Sequence, residues 1–276
     1  MTWHAALSLD YRLESERSVV RHVHEGPLRV LKSLYPEGDG TCHNVLVHPP
    51  GGLVGGDTLD IQVAVDSGAH ALITTAGATR FYRSSGEPAV QRTRLRLQAG
   101  ARMEWLPLEA ILYNGCQAEN HLSFELAPGA ELMAWDITAL GLPHADLPFV
   151  AGRFLQHIEM PEIWLERGVV DAADTCLFNS PLGLSGQRCM ASVFFAMGST
   201  MARPRRELAL DSARHILNAD ALKSSAGVTC PNPQVLVLRV LAPQVEMAMD
   251  LLKKIWAAWR QLLWDQAPVP PRIWST

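Results

Sequence analysis

The chain has few cysteines, no long apolar run and no strong excess of either charge. Its five cysteines are an odd number, are widely spaced and form no C-x-x-C pair, which argues against a disulfide framework and a zinc knuckle. No apolar segment approaches the ~20 residues that a membrane-spanning helix needs. The net charge of −4 is spread over mixed acids and bases and leaves no footprint for nucleic acid or an anionic membrane. We therefore expect partners that are proteins or small species.

The composition is that of a folded globular protein, with 48% hydrophobic and 19% charged residues. The first ten residues lack the basic and then apolar layout of a signal peptide, so a cytoplasmic location is expected. No linker rich in Gly, Ser or Pro interrupts the sequence. We expect one domain over residues 1–276.

A repeated unit in the first half predicts a mainly β fold. In each copy an alternating segment leads to a Gly-Ala turn, and a more apolar segment follows. The turn glycines are Gly68, Gly100 and Gly129, so the copies are spaced roughly as in a solenoid. The alternating segments predict half-buried strands, and the segments after the turns predict strands that are covered on both faces. We expect a stacked, β-solenoid-like core, with an antiparallel sandwich of hairpins as the alternative.

The last third of the chain predicts two helices beside this core. Leucines recur among charged residues over 205–222, after the break at Pro204. Apolar residues recur at spacings of three and four over 243–265, as in an amphipathic helix. That second helix carries Trp256, Trp259 and Trp264, and these side chains suit either packing against the β core or a partner interface.

A glycine-rich segment, His48 to Asp57, contains four glycines in six positions. It is not a phosphate loop, because a lysine and a following helix are missing and Asp57 would repel an anion. It also fails the dinucleotide fingerprint. A tight loop that needs close backbone approach is the favoured interpretation.

Candidate ligands and nucleophiles are scattered along the sequence. No nucleophile elbow or zinc-protease motif occurs. A small group of histidines and one cysteine could bind a metal ion, although a zinc site usually needs three or four ligands. The members of this group are His22, His24, Cys42, His43 and His48. A nickel-storage protein built on these residues is the alternative function, and an unrecognised hydrolase is a third.

Motifs along nearly the whole chain resemble those of the urease accessory protein family UreD, also called UreH. The matching segments are Pro27–Val30, Leu34–Pro36, His48–Asp57, Leu72–Thr75, Ala78–Ser84, Glu104–Glu109, Trp135–Asp136, Leu140–Gly141, Glu166–Arg167, Ser180–Leu184 and Pro271–Trp274. The resemblance implies a β, helical-layer fold with two helices and no catalysis of its own. It also implies a scaffold that bridges apo-urease to a UreF-like protein and, through it, to a UreG-like GTPase.

The resemblance further implies a route for nickel through the protein, with no tightly bound cofactor. A conduit must hold the ion loosely, so oxygen ligands suit it better than thiolates or imidazoles. By resemblance the route is predicted to pass Asp57, Thr75, Thr79, Asp136 and Glu166.

Overall fold

The computed structural model describes residues 2–142 and 145–275. The single domain expected over residues 1–276 therefore includes four residues that lie outside the described part. The strands are β1 (His4–Glu14), β2 (Arg17–Glu25), β3 (Arg29–Val30), β4 (Thr41–Val47), β5 (Thr58–Val65), β6 (His70–Thr75), β7 (Thr79–Phe81), β8 (Ala89–Leu97), β9 (Arg102–Trp105), β10 (Ala110–Leu112), β11 (Cys116–Leu126), β12 (Glu131–Leu142), β13 (Leu147–Pro148), β14 (Gly152–Met160), β15 (Trp164–Asp171), β16 (Cys189–Met197), β17 (Ala226–Asn232) and β18 (Val235–Ala242). The helices are α1 (Thr175–Asn179), α2 (Arg203–Asn218) and α3 (Val245–Trp264), with a 3₁₀ turn at Arg272–Ser275.

The strands form two sheets. The first sheet has the order β15-β14-β11-β8-β5-β1-β2. The second has the order β17-β18-β16-β12-β9-β6-β4-β3, with β10 beside β12 and β7 beside β10. The pairs β5–β8, β8–β11 and β11–β14 are parallel, as are β4–β6, β6–β9 and β9–β12. Parallel pairing of successive copies confirms the solenoid-like arrangement, because a sandwich of hairpins would pair them antiparallel.

Each repeated unit of the sequence is one coil that crosses from the first sheet to the second. The turns at Gly68, Gly100 and Gly129 all have positive φ, between 72° and 80°. Equivalent backbone bonds close them, from Ala69, Ala101 and Ala130 to the carbonyl three residues earlier. Glycine is favoured there because a left-handed conformation strains a residue with a Cβ. The turn glycines thus set the coil repeat.

Two hydrophobic cores share the second sheet. The first core lies between the sheets, where alternate residues of β5, β8, β11 and β14 face inward. The second core lies between the other face of the second sheet and helices α2 and α3. Strand β12 is buried on both faces along nearly its whole length, as predicted for the segments after the turns.

The two long helices begin and end within a few residues of the sequence-based bounds. Helix α2 begins at Arg203 and not after Pro204, because a proline is tolerated in the first turn, where its missing N–H has no intrahelical partner. Helix α3 ends before Asp265, which adopts a left-handed conformation with φ of 53°. Trp256, Trp259 and Trp264 are all buried, so they pack against the β core and offer no exposed interface.

Buried polar contacts fix helix α3 on the second sheet. The indole N–H of Trp256 donates to Glu104 over 2.5 Å, and that of Trp264 donates to Glu131 over 2.6 Å. Arg260 is fully buried and forms ion pairs with Glu37 and Glu104. These contacts allow only one register of the helix, because sliding it would leave buried charges unpaired. No helix of the described residues is long and apolar enough to cross a membrane.

Candidate functional site

Two cavities lie between the sheets, and Asp136 lines both. Cavity 1 has a volume of about 290 Å³ and reaches the glycine-rich loop at His48 and Gly51. Cavity 2 has a volume of about 450 Å³ and is lined by Gln156 and Glu166 of the first sheet together with residues of β16, β17 and β18. Asp136 lies on β12 in the second sheet, and its carboxylate is therefore a polar group shared by two half-open cavities.

The Asp136 side chain is held by donors from both sheets. Its Oδ2 accepts a hydrogen bond of 2.8 Å from Asn120 Nδ2, and its Oδ1 accepts from Gln156 and, over 3.3 Å, from Thr138. Burial raises the pKa of Asp136 to about 6, although these hydrogen bonds act to lower it, and the negative charge of Glu166 raises it further. No cation pairs with Asp136 in the described part of the chain. The site therefore carries a buried carboxylate without a counterion.

Three other residues of the predicted nickel route line the same cavities. Thr75 and Thr79 line cavity 1, and Glu166 lines cavity 2. The Thr75 hydroxyl accepts the N–H of Leu108 over 2.9 Å, and the Thr79 hydroxyl donates to Gln91 Oε1 over 3.4 Å. Glu166 accepts two bonds from Arg239, of 2.9 and 2.5 Å. The fold thus brings four of the five predicted residues to the walls of the two cavities.

Asp57 lies apart from both cavity linings. It is buried, and its two carboxylate oxygens accept the backbone N–H groups of Trp3 (3.2 Å) and Val54 (2.9 Å). Its contacts close the glycine-rich loop, whose residues Gly52 and Gly55 leave no room for a Cβ. A Cβ at Gly52 would lie 2.3 Å from the Tyr82 ring. The loop is therefore tight for the reason expected from its sequence, and Asp57 is one of its supports.

The histidines and cysteine of the alternative storage site do not converge. His22 and His24 are exposed on the edge strand β2, and His43 is bound to Glu37 over 2.5 Å in the second sheet. Within residues 2–142 and 145–275, no group of three or more His, Cys, Asp or Glu side chains is placed to hold a metal ion. Burial raises the pKa of Cys42, so its thiol stays protonated and is a poor ligand at neutral pH.

Sequence reasoning did not identify Asn120 and Gln156, which bind the buried carboxylate, or Gln91, which donates to Asn120. All three occupy inward-facing positions of first-sheet strands, between apolar neighbours such as Leu122 and Ile158. The sequence does contain a signal for these residues. In a strand whose buried and exposed positions alternate, a polar residue at a buried position is costly unless it has hydrogen-bond partners. Finding those partners, however, requires the pairing of strands that are distant in sequence.

The fold and the site together define a mainly β, solenoid-like protein with a buried polar centre between two internal cavities. The sequence model of the family described as UreD urease accessory protein matches residues 4–275. The chain belongs to the UreD family of urease accessory proteins.

Curated relatives share the full length of the chain. A urease accessory protein UreD of Albidiferax ferrireducens is 84% identical over 275 residues, covering 100% of both chains. Proteins of the same name from Paracidovorax citrulli and Leptothrix cholodnii are 64% and 53% identical, again with 100% of each chain covered. The similarity therefore extends over both sheets and the C-terminal helices.

Proposed function

We propose that this chain is a urease maturation factor that lets Ni²⁺ pass through its interior toward apo-urease. The observation that carries the proposal is that Asp136, a buried carboxylate without a counterion, lines both internal cavities. A buried negative charge attracts a cation, and in a low-dielectric interior that attraction is stronger than in water. Nickel is the cargo in this proposal, and no ion is retained.

The ligands along the proposed route suit transit better than storage. Thr75 and Thr79 offer hydroxyl oxygens in cavity 1, Asp136 offers a carboxylate at the junction, and Glu166, which is paired with Arg239, offers another in cavity 2. Oxygen ligands hold Ni²⁺ more weakly than imidazole or thiolate does. Transport requires binding that is favourable enough to admit the ion and weak enough to release it. Asp57 enters the proposal as the residue that holds the loop beside cavity 1.

We further propose that the chain acts as a scaffold without turnover of its own. In this proposal it joins apo-urease to a UreF-like protein, and through that protein to a UreG-like GTPase that supplies the energy. Burial raises the pKa of Cys116 and Cys189 to about 12, which leaves these thiols protonated and unsuited to nucleophilic catalysis. The five cysteines are all free, which is compatible with the cytoplasmic location proposed here.

Reconstitution with purified components tests the transit proposal. Apo-urease, the UreF-like and UreG-like proteins, GTP, Ni²⁺ and this chain are combined, and the nickel content of re-isolated urease is measured by mass spectrometry over time. The variant Asp136→Asn is expected to slow nickel loading while its co-purification with urease and the UreF-like protein is unchanged.

The matched control is Asp10→Asn, the same chemical change at an exposed position of β1. This control is expected to load nickel at the wild-type rate. Loading by Asp136→Asn at the same rate as by Asp10→Asn would remove the interior route. A failure of the wild-type chain to co-purify with urease or the UreF-like protein would remove the scaffold role.

A further inference from the structure

An in-register row of three amides crosses the interior face of the first sheet. Gln91 of β8 pairs with Asn120 of β11, and Asn120 pairs with Gln156 of β14. We call Gln91, Asn120 and Gln156 the amide row. Above and below it the inward positions of these strands are mainly apolar, including Ala118, Leu122, Phe154 and Ile158. A row of polar groups in such a face is costly unless each group has a partner or a use.

The amide row forms a connected chain of polar contacts. Thr79 Oγ1 donates to Gln91 Oε1 over 3.4 Å, and Gln91 Nε2 donates to Asn120 Oδ1 over 3.5 Å. Asn120 and Gln156 each donate an amide N–H to the Asp136 carboxylate. The bonds to the carboxylate are short, whereas those to the amide oxygens of Gln91 and Asn120 are long and weak. The Gln156 oxygen accepts no hydrogen bond from a protein group in the described residues.

The row extends from one cavity to the other. Gln91 and Asn120 line cavity 1, and Gln156 lines cavity 2. Adjacent strands lie about 4.8 Å apart, so the row covers about 10 Å from Gln91 to Gln156. Asp136, which lines both cavities, faces the row from the second sheet. The amides therefore form a continuous row from the lining of cavity 1 to the lining of cavity 2.

We propose that the amide row is the ion-guiding element of this route, with its oxygens serving as successive weak ligands of a hydrated divalent cation. The N–H groups of Asn120 and Gln156 hold the Asp136 carboxylate in the passage, while the neutral oxygens of the row receive the ion. Neutral oxygens bind a divalent cation without the full charge attraction of a carboxylate, so the ion can leave again. This inference rests on the function proposed above and adds to it three residues and a reason why the ion is released.

Isosteric variants test the row. Gln91→Met and Gln156→Met keep the length of the side chain and remove the amide. Each is expected to slow nickel loading of urease about tenfold, as for other residues around metal sites, with unchanged co-purification. Gln62→Met is the matched control, since Gln62 is exposed on the outer face of β5. Gln91 makes no contact with Asp136, so its variant remains informative even if Gln156→Met folds poorly.

A second measurement separates ion binding from a purely structural role. Gln156→Glu places a carboxylate in the row and is expected to increase the nickel that the complex retains in equilibrium dialysis while slowing its delivery to urease. A structural defect would not raise retention. Unchanged retention by Gln156→Glu would overturn the inference.

The Asp136→Asn variant distinguishes the two proposals. If Asp136→Asn loads nickel slowly and both methionine variants load at the Gln62→Met rate, the route stands and the amide row has no part in it. If all of them load at the wild-type rate, the route fails and the inference fails with it. Slow loading by Asp136→Asn and by the two methionine variants supports the nickel route and the role of the amide row in it.

Discussion

At the scale of single residues, the least expected feature is a carboxylate buried without a cation. Asp136 receives amide donors, and hydrogen bonds of this kind stabilise an ionised carboxylate. They do not compensate for burial, since its pKa is raised to about 6. The protein therefore maintains an unfavourable charge between its sheets, which is more typical of a functional site than of a packing site.

This charge predicts a pH dependence of stability. Between the ordinary pKa of 3.8 and about 6, the folded state binds more protons at Asp136 than the unfolded state does. The free energy of unfolding should therefore fall as the pH rises through that window, by about 3 kcal/mol for this group. Asp136→Asn should remove this part of the slope. Chemical denaturation of both proteins at several pH values across the window measures the free energy of unfolding. If its dependence on pH is the same for the wild-type chain and Asp136→Asn, the prediction is contradicted.

At the scale of elements, helix α3 depends on charges that its own sequence does not reveal. Arg260 lies between Glu37 and Glu104, which come from the N-terminal half of the chain. His70 also contacts Glu104, at 2.9 Å. The helix was predictable from its apolar spacing, but its anchoring required the tertiary structure to bring these residues together.

Removing the ion pairs of Arg260 should destabilise the folded protein. Arg260→Met leaves the buried Glu104 and the half-buried Glu37 without their arginine, so the free energy of unfolding should decrease by about 3–5 kcal/mol. The control Arg203→Met removes an exposed arginine paired with Glu207 within α2 and should have no measurable effect. Thermal and urea unfolding of the two variants would show the difference, and equal stabilities would contradict a structural role for Arg260.

The two sheet edges at the C-terminal end of the solenoid are protected unequally. Strand β17 carries Pro231 and a bulge, and both features hinder further pairing. Strand β15 is an edge strand with Leu165 and Val169 exposed at 58% and 39%. An unprotected apolar edge promotes association with other chains.

A charge on this edge should therefore improve the behaviour of the isolated protein. Leu165→Lys is expected to reduce the aggregated fraction in size-exclusion chromatography at high concentration. Leu182→Lys is the control, because Leu182 is fully exposed but lies in a loop outside the strands. If the two variants reduce aggregation equally, general surface hydrophobicity and not the strand edge is responsible.

At the scale of the whole molecule, the two cores should unfold together. The second sheet contributes one face to the core between the sheets and its other face to the core under α2 and α3. Loss of either core exposes strands that the other needs. We expect one cooperative transition, with coincident curves from far-ultraviolet circular dichroism and tryptophan fluorescence. Two separate transitions would show that the helical layer is an independent unit.

The sequence by itself determined the strand pattern, the coil repeat and the positions of the long helices, because period-two alternation, turn glycines and helical spacing are local signals. It also carried the motifs of the UreD family. It did not predict α1, a helix of five residues without a periodic pattern. Strands β1, β2, β14 and β15, which lie at the two ends of the first sheet and outside the clear repeats, were likewise not predicted from sequence.

Only the tertiary structure decided which polar residues share a site. Asn120, Asp136 and Gln156 are separated in sequence and meet because parallel pairing aligns β11 with β14, while the coil turns place β12 opposite them. Asp57 was predicted on the same nickel route as Asp136, but its oxygens are engaged by the backbone N–H groups of Trp3 and Val54. Sequence patterns are set by neighbours along the chain, whereas a site between two sheets is set by strand register and by the distance between the layers.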